Sequence, residues 1–368
     1  MTLERRIKEL IASDGPQPVS VYMALCLHDP QHGYYATRPG LARDFRTAPE
    51  TSQAFGELLG LWAAHEWAAL GRPSPFTLAE IGPGRGTLMT DALRALAVAP
   101  DMLAAMDLVL VEPSPVLRRQ QSGALAGHAH RHVTQLDALP EGPLILIGNE
   151  YLDCLPARQF VRDGDTWRER VVGLSQQGEL EFGLAVERAE APTAAPSGGV
   201  EVDVQPGLET VVKTLAARPT PFRALFIDYG PADTAPGDTL RAFRDGRQID
   251  PLAAPGASDL TVDVDFARLT RLAARAGLCV AGPVAQGPFL MSLGLQTRLD
   301  QLIAANPDRA EALYAGAASL ADPAQMGARF KAVCLSSPGL PPPAGLVSTP
   351  EEEATQEPDQ AREDPNKR

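Results

Sequence analysis

Cysteine is scarce in this chain of 368 residues, and Cys26, Cys154, Cys279 and Cys334 stand too far apart to make a C-x-x-C pair or a metal-ligand spacing. They read as reduced core thiols. Basic residues are outnumbered, 33 Lys and Arg against 46 Asp and Glu, so the net charge of -13 withholds the basic surface on which sequence-independent nucleic-acid binding depends. Part of that charge lies in the acidic stretch from Glu351 to Asp364. No apolar run approaches the roughly twenty residues of a membrane span. Met1 to Leu10 is charged where a secretory signal is apolar, so a cytoplasmic location is expected. Histidine is sparse too. His128, His130 and His132 alternate and would share one strand face, but no acid or cysteine stands close enough to complete a metal site.

What is present begins with an ordinary apolar content of 44 %, enough for one large or two modest cores. Against it stands Glu80-Ile81-Gly82-Pro83-Gly84-Arg85-Gly86-Thr87, placed after the apolar stretch Phe76 to Ala79 and before the helix-like run Leu88 to Leu96. This is a strand, a glycine turn and a helix. Gly82, Gly84 and Gly86 let backbone approach a nucleotide-like ligand and tolerate positive φ. The leading carboxylate would repel a phosphate and favour a cationic amino-acid portion. S-adenosylmethionine has that portion and no phosphate.

A second apolar strand, Leu108 to Val111, ends at Glu112, whose carboxylate can accept both hydroxyls of a ribose. About thirty residues separate it from the glycines, against roughly twenty in a minimal dinucleotide unit. Pro100 and Asp101 predict that the helix stops early and a loop fills the difference. A P-loop needs Gly-Lys followed by Ser or Thr, absent here, and alternate glycines do not fit the Gly-x-Gly-x-x-Gly spacing of NAD sites. The donor ligand therefore ranks as S-adenosylmethionine, then NAD, then ATP.

Along the chain, helices are predicted over residues 3 to 12 and from Ser20, followed by a loop from His32 to Glu50. Thr51-Ser52-Gln53 opens a helix whose apolar face is Phe55, Leu58, Leu59, Leu61 and Trp62. Strands at Leu108 to Val111, Leu144 to Ile147 and Ala224 to Ile227 alternate with helical stretches, which predicts an α/β fold with a parallel, doubly wound, Rossmann-like sheet. Short β-like pieces between Gln159 and Leu184 suggest an inserted hairpin or small sheet, and residues 187 to 200 a flexible linker. A second insertion, 231 to 262, reads as a long Gly-, Pro- and Asp-rich loop. Helices are expected over Val264 to Ala276 and Ala310 to Leu320, and disorder from Ser336 onward. The domains are then an N-terminal helical region (1 to 70), a catalytic domain (71 to 335) with insertions near 159 to 200 and 231 to 262, and an acidic, Pro-rich tail (336 to 368).

Several long blocks share a further likeness. They include Met23 to Pro30 with Gly33-Tyr34-Tyr35, Asp44 to Gln53 with Phe55-Gly56-Glu57, and Glu80 to Asp91. Val111 to Pro115, Gly148-Asn149-Glu150 with Leu152-Asp153, and Ile227 to Gly230 follow. Together they resemble the MidA-like methyltransferases, the family of a mitochondrial complex I assembly factor that methylates an arginine. The resemblance runs from Val19 to Val333. It departs at Arg43, where a glycine is expected, and at Phe243 to Gln248, where a histidine-containing stretch is missing.

The resemblance implies a class I methyltransferase fold, S-adenosylmethionine as cofactor, and an arginine on a respiratory complex I subunit, or its bacterial counterpart, as substrate. Ligands of open α/β sheets lie outside the carboxyl ends of the strands. Glu80, Gly82, Gly84 and Gly86 are therefore assigned to the methionine end, Glu112 to the ribose and Asp137 to the adenine edge, while Asp228 also emerges at a strand end. Thr47, Pro49 and Glu50 are assigned to a lid or donor contact by the resemblance; from the residues alone they are a helix start. Asn149, Glu150 and Asp153 are assigned to the reacting end, where carboxylates could orient a guanidinium and accept a proton, or else cap a following helix. Tyr34 and Tyr35 read either as an aromatic wall of the pocket or, by preference, as loop anchors with hydroxyls in water. The rival functions are a catalytically silent assembly chaperone binding its partner through 231 to 262, and a small-molecule methyltransferase. The partner expected is a protein substrate, without nucleic acid or a membrane span.

Overall fold

Runs buried on both faces, where apolar side chains alternate between two helical layers, are the inner strands of the central sheet in the computed structural model, which describes residues 2–37, 47–192 and 201–346. Among the described residues this sheet has seven strands: β1 (Phe76–Ile81), β2 (Met106–Val111), β3 (His130–Val133), β4 (Leu144–Asn149), β5 (Phe222–Tyr229), β6 (Cys279–Ala285) and β7 (Phe330–Ser336). Their spatial order is β6-β7-β5-β4-β1-β2-β3. The sheet is parallel except for β7, which runs against both of its neighbours. The chain steps outward from β1 to β3 and returns to β4 beside β1. That reversal is the switch point at which such sheets open a crevice.

Leu78, Leu110, Ile145, Ile147, Leu225 and Ile227 pack on one face with the helices Gln53–Ala69 and Thr87–Ala95. Ala79, Val109, Leu144, Leu146 and Phe226 pack on the other with Pro206–Ala216 and Phe266–Arg275. Gln53–Ala69 starts at Ser52, whose hydroxyl accepts the Ala54 N–H at 3.4 Å. Gly56 and Gly60 allow it to cross Thr87–Ala95 closely: a Cβ on Gly60 would lie 2.5 Å from the Ala92 carbonyl oxygen. The helix therefore belongs to the sheet's own layer, not to a separate N-terminal region. Of its expected apolar face Phe55, Leu58, Leu59 and Trp62 are buried, but Leu61 is 40 % exposed.

Helices Leu3–Asp14 and Val19–His28 share a second core with the insertions. Gln17–Pro18, Arg158–Asp163, Thr166–Leu174, Leu180–Leu184 and Glu201–Val204 make a five-stranded antiparallel sheet where an inserted hairpin or small sheet was expected. The 231 to 262 insertion differs from the long loop expected. Its strands Arg241–Arg244, Arg247–Ile249 and Asp259–Thr261 form a small antiparallel sheet. Asp245 and Gly246, both at positive φ, turn its hairpin, which explains how the divergent Phe243 to Gln248 stretch is ordered.

Three further expectations are corrected. The interval before β2 holds a 3-10 turn and the helix Pro100–Ala105 instead of a loop, because Pro100 fits the first turn of a new helix. Order continues past Ser336 to Leu346, which is buried: the Trp62 indole donates to the Ala344 carbonyl at 3.2 Å and Glu66 accepts the Ala344 N–H at 2.9 Å. Cys26, Cys154 and Cys334 are buried, but Cys279 is exposed at the start of an edge strand. Arg43 to Arg46, residues 193 to 200 and residues 347 to 368 lie outside the described residues, as does most of the expected acidic tail. Among the described residues no helix is long and apolar enough to cross a membrane.

Candidate active site

A cavity of about 580 Å³ opens at the carboxyl ends of β1, β2 and β4. β1 delivers Glu80 to its wall, and the chain then turns through Gly82 (φ 67°), Gly84 (φ 52°) and Gly86 (φ 84°). Gly82 and Gly84 line the cavity; a Cβ on Gly82 would press against the Tyr151 ring at 3.3 Å. Gly86 lies off the wall. It stands at the N-cap of Thr87–Ala95 and abuts Gln121, whose Cα lies 3.4 Å from where its Cβ would be. Glu80 is buried with Oε2 lacking a hydrogen-bond partner, and burial pushes its carboxyl up to about 8. A carboxylate left in this state suits a cationic ligand group.

Glu112, at the end of β2, is held on both oxygens. Oε1 accepts the Ser114 N–H at 2.7 Å and Oε2 accepts from Gln121 Nε2 at 3.2 Å. Burial raises its pKa, and those two bonds oppose the rise. Asp137 lines the cavity from the short turn Leu136–Ala138 that follows β3. Thr47, Pro49 and Glu50 line it from the short helix Ala48–Thr51 and its N-cap. Glu50 is tied to the glycine turn: the Thr87 hydroxyl donates to Oε1 at 2.6 Å, and the Arg85 guanidinium lies 3.7 Å from Oε2.

β4 ends in Asn149, and Glu150 follows at φ 50°, a left-handed conformation uncommon outside glycine. That turn aims its carboxylate at the Thr47 to Ser52 segment, where Oε1 accepts the Ala48 N–H at 3.1 Å as well as the Asn149 side-chain N–H at 3.0 Å. Asn149 Oδ1 is buried without a hydrogen-bond partner. Burial, with the charge of Asp153, raises Glu150 to about 7. Asp153 is also raised, chiefly by burial. Asn149, Glu150 and Asp153 all line the cavity, and no helix follows for either acid to cap. Asp228 does not line it. Its Oδ2 accepts the Leu152 N–H at 2.7 Å and the Asp153 N–H at 3.2 Å, so it shapes the segment that carries Asp153.

Tyr35 lines the cavity, as the aromatic-wall alternative had it, and donates to Asp259 at 3.3 Å, while Tyr34 is buried and off the lining, so neither is a loop anchor with its hydroxyl in water. The structure also adds residues that the sequence did not single out for the site. His28 stacks on Tyr35 with ring centroids 5.7 Å apart. The Tyr229 hydroxyl is hydrogen-bonded to Thr261. Gln121 joins Glu112 to the glycine turn; its place four residues after Leu117, both buried on one helix face, was the available signal. Seven carboxylate residues line the cavity against one guanidinium, Arg85, and one imidazole, His28, among the described residues.

Residues 58–284 match the family described as "Putative S-adenosyl-L-methionine-dependent methyltransferase". The chain is 35 % identical to the mitochondrial protein arginine methyltransferase NDUFAF7 homolog of Drosophila melanogaster, covering 90 % of this chain and 84 % of the relative. It is 34 % identical to the mitochondrial human protein arginine methyltransferase NDUFAF7, covering 89 % and 81 %. A Burkholderia thailandensis protein solved with S-adenosyl-homocysteine bound superposes with a TM-score of 0.81 at 28 % identity over 93 % of each chain. These relatives overturn the cytoplasmic expectation, since they are named as mitochondrial proteins. A charged N-terminus argues only against an apolar secretory leader and does not by itself select the cytoplasm.

Proposed function

Because the chain belongs to the S-adenosylmethionine-dependent methyltransferase family, we propose that it methylates an arginine side chain of a protein, with a respiratory complex I subunit as the candidate substrate. The observation that carries this reading is the pairing, in one cavity, of the Glu80 glycine turn with the reacting end at Asn149, Glu150 and Asp153. The methionine-end ammonium fits the unpartnered Glu80 carboxylate, and Glu112 fits a ribose diol. Asp137 fits the adenine edge, and Thr47, Pro49 and Glu50 close the wall beside the turn.

When bound, S-adenosylmethionine supplies an electrophilic methyl group on a sulfonium. An arginine is a poor nucleophile, its charge delocalised and its pKa above about 12, so the chain must orient the guanidinium, localise its charge and take a proton. Asn149 Oδ1 is a free acceptor for one guanidinium N–H. Glu150 and Asp153 flank it, and an incoming cation would draw both back toward ionisation. As the methyl's bond to sulfur breaks and the new C–N bond forms, Glu150, ionised beside the bound cation, accepts the N–H proton and S-adenosylhomocysteine is the leaving group. Incubation with methyl-labelled S-adenosylmethionine and complex I subunits, followed by mass spectrometry of the product, tests the reading. Label on arginine is expected; S-adenosylhomocysteine binding without label on any protein would overturn it.

A further inference from the structure

We propose that Gln121 and His132 form a relay that presets Glu112 for the donor's ribose, making Gln121 a positioning residue of the donor site. The inference rests on the donor-site reading and extends it to two residues that touch neither donor nor acceptor.

Gln121 is fully buried, and both ends of its amide are hydrogen-bonded. Nε2 donates to the Gly84 carbonyl at 2.8 Å and to Glu112 Oε2 at 3.2 Å, while Oε1 faces His132 Nε2 at 2.9 Å. Two acceptors on one side identify that end of the amide as nitrogen. The other end can only accept, so the His132 proton resides on Nε2. Burial, reinforced by His130 and Arg118, lowers the His132 pKa and so favours the neutral ring, whose proton the Gln121 contact assigns to Nε2. Of the three alternating histidines, His132 thus has a defined partner on the path to the cavity.

The consequence falls on Glu112. With Ser114 N–H on Oε1 and Gln121 on Oε2, each oxygen retains acceptor capacity, the pattern that two neighbouring hydroxyls meet. The same amide holds the Gly84 carbonyl, so one side chain sets the spacing between the glycine turn and the ribose acid.

Calorimetry with S-adenosylhomocysteine and its 2′-deoxyribose counterpart separates this role from general support. Wild type is expected to prefer the ribose form by roughly tenfold, the scale of a hydrogen bond to a charged group. Gln121→Leu and His132→Leu should each narrow that preference to within about threefold. A merely structural role would weaken both ligands alike and leave the ratio unchanged, which would overturn the relay. Should Gln121→Leu fail to fold, His132→Leu, on an edge strand, gives the same readout. If wild type binds neither ligand, the donor-site reading itself falls and the relay with it.

Discussion

Glu150 and Ala48, 102 residues apart, meet where the Glu150 carboxylate accepts the Ala48 N–H at 3.1 Å. One acid therefore sits at the proposed reacting end and anchors the segment that carries Thr47, Pro49 and Glu50. Glu50 in turn grips the glycine turn through Thr87. Positioning of the wall and acid–base chemistry share a residue, and variants can separate them.

Glu150→Gln keeps an oxygen for Ala48 and removes the base. The turnover rate for arginine methylation is expected to fall about 10²–10⁴-fold, with S-adenosylhomocysteine affinity within about threefold of wild type by calorimetry. Loss of donor binding to the same degree would assign Glu150 to the wall alone.

Glu80 links the proposed donor site to pH. Its carboxyl is raised from 4.5 to about 8 in the folded chain, so the folded state holds a proton that the unfolded state releases across that window. Its contribution to stability therefore falls as pH rises from about 4.5 to about 8. Glu80→Gln should raise the ligand-free melting temperature at pH 8 by a few degrees, ~2–4 °C for each kcal/mol in a domain of this size, with little change at pH 5. The same variant should bind S-adenosylhomocysteine about tenfold more weakly, having lost a charge-assisted bond. An equal melting shift at both pH values would contradict the buried-proton account.

Gly82→Ala places a Cβ at φ 67° and 3.3 Å from the Tyr151 ring. The left-handed conformation costs about 1–2 kcal/mol, and relief of the clash moves the turn. Donor affinity should drop roughly tenfold or more in calorimetry, while a Gly71→Ala control, at φ 85° with open space around it, should lower stability and leave affinity alone.

Arg223 and Glu66 form a fully buried ion pair at 3.0 Å, far along β5 from the cavity, with Ser336 also accepting from Arg223 at 3.1 Å. Arg223→Met removes the cation facing Glu66 Oε2, leaving the buried carboxylate the Ala344 N–H and the His65 ring on Oε1, and should cost about 3 kcal/mol in denaturant unfolding, whereas the double variant Arg223→Met with Glu66→Leu should recover most of it. Donor affinity of the folded double variant should match wild type.

Much of the placement of the candidate site was readable because its signals are local. The strand β1, the glycine turn and Glu112 are contiguous or stand at predictable strand ends, and hydrophobic runs buried on both faces mark a parallel sheet whatever surrounds them. Asn149 and Glu150 were legible for the same reason, as the end of β4. The insertion at 231 to 262 was less so. Its strands are short and half-polar, and only the Asp245-Gly246 turn hinted that they pair.

By itself, then, the sequence determined the sheet, the glycine turn and the acids that end its strands, since these follow from periodicity, glycine conformation and charge along neighbouring residues. Only the tertiary structure decided what those groups face. It turned Gly86 toward Gln121, bound Asp228 to the backbone at Leu152 and Asp153, and brought Tyr35 to Asp259 across 224 residues. Such pairings depend on how layers pack over one another, and burial then sets the charge of Glu80 and Glu150, which no local pattern in the chain encodes.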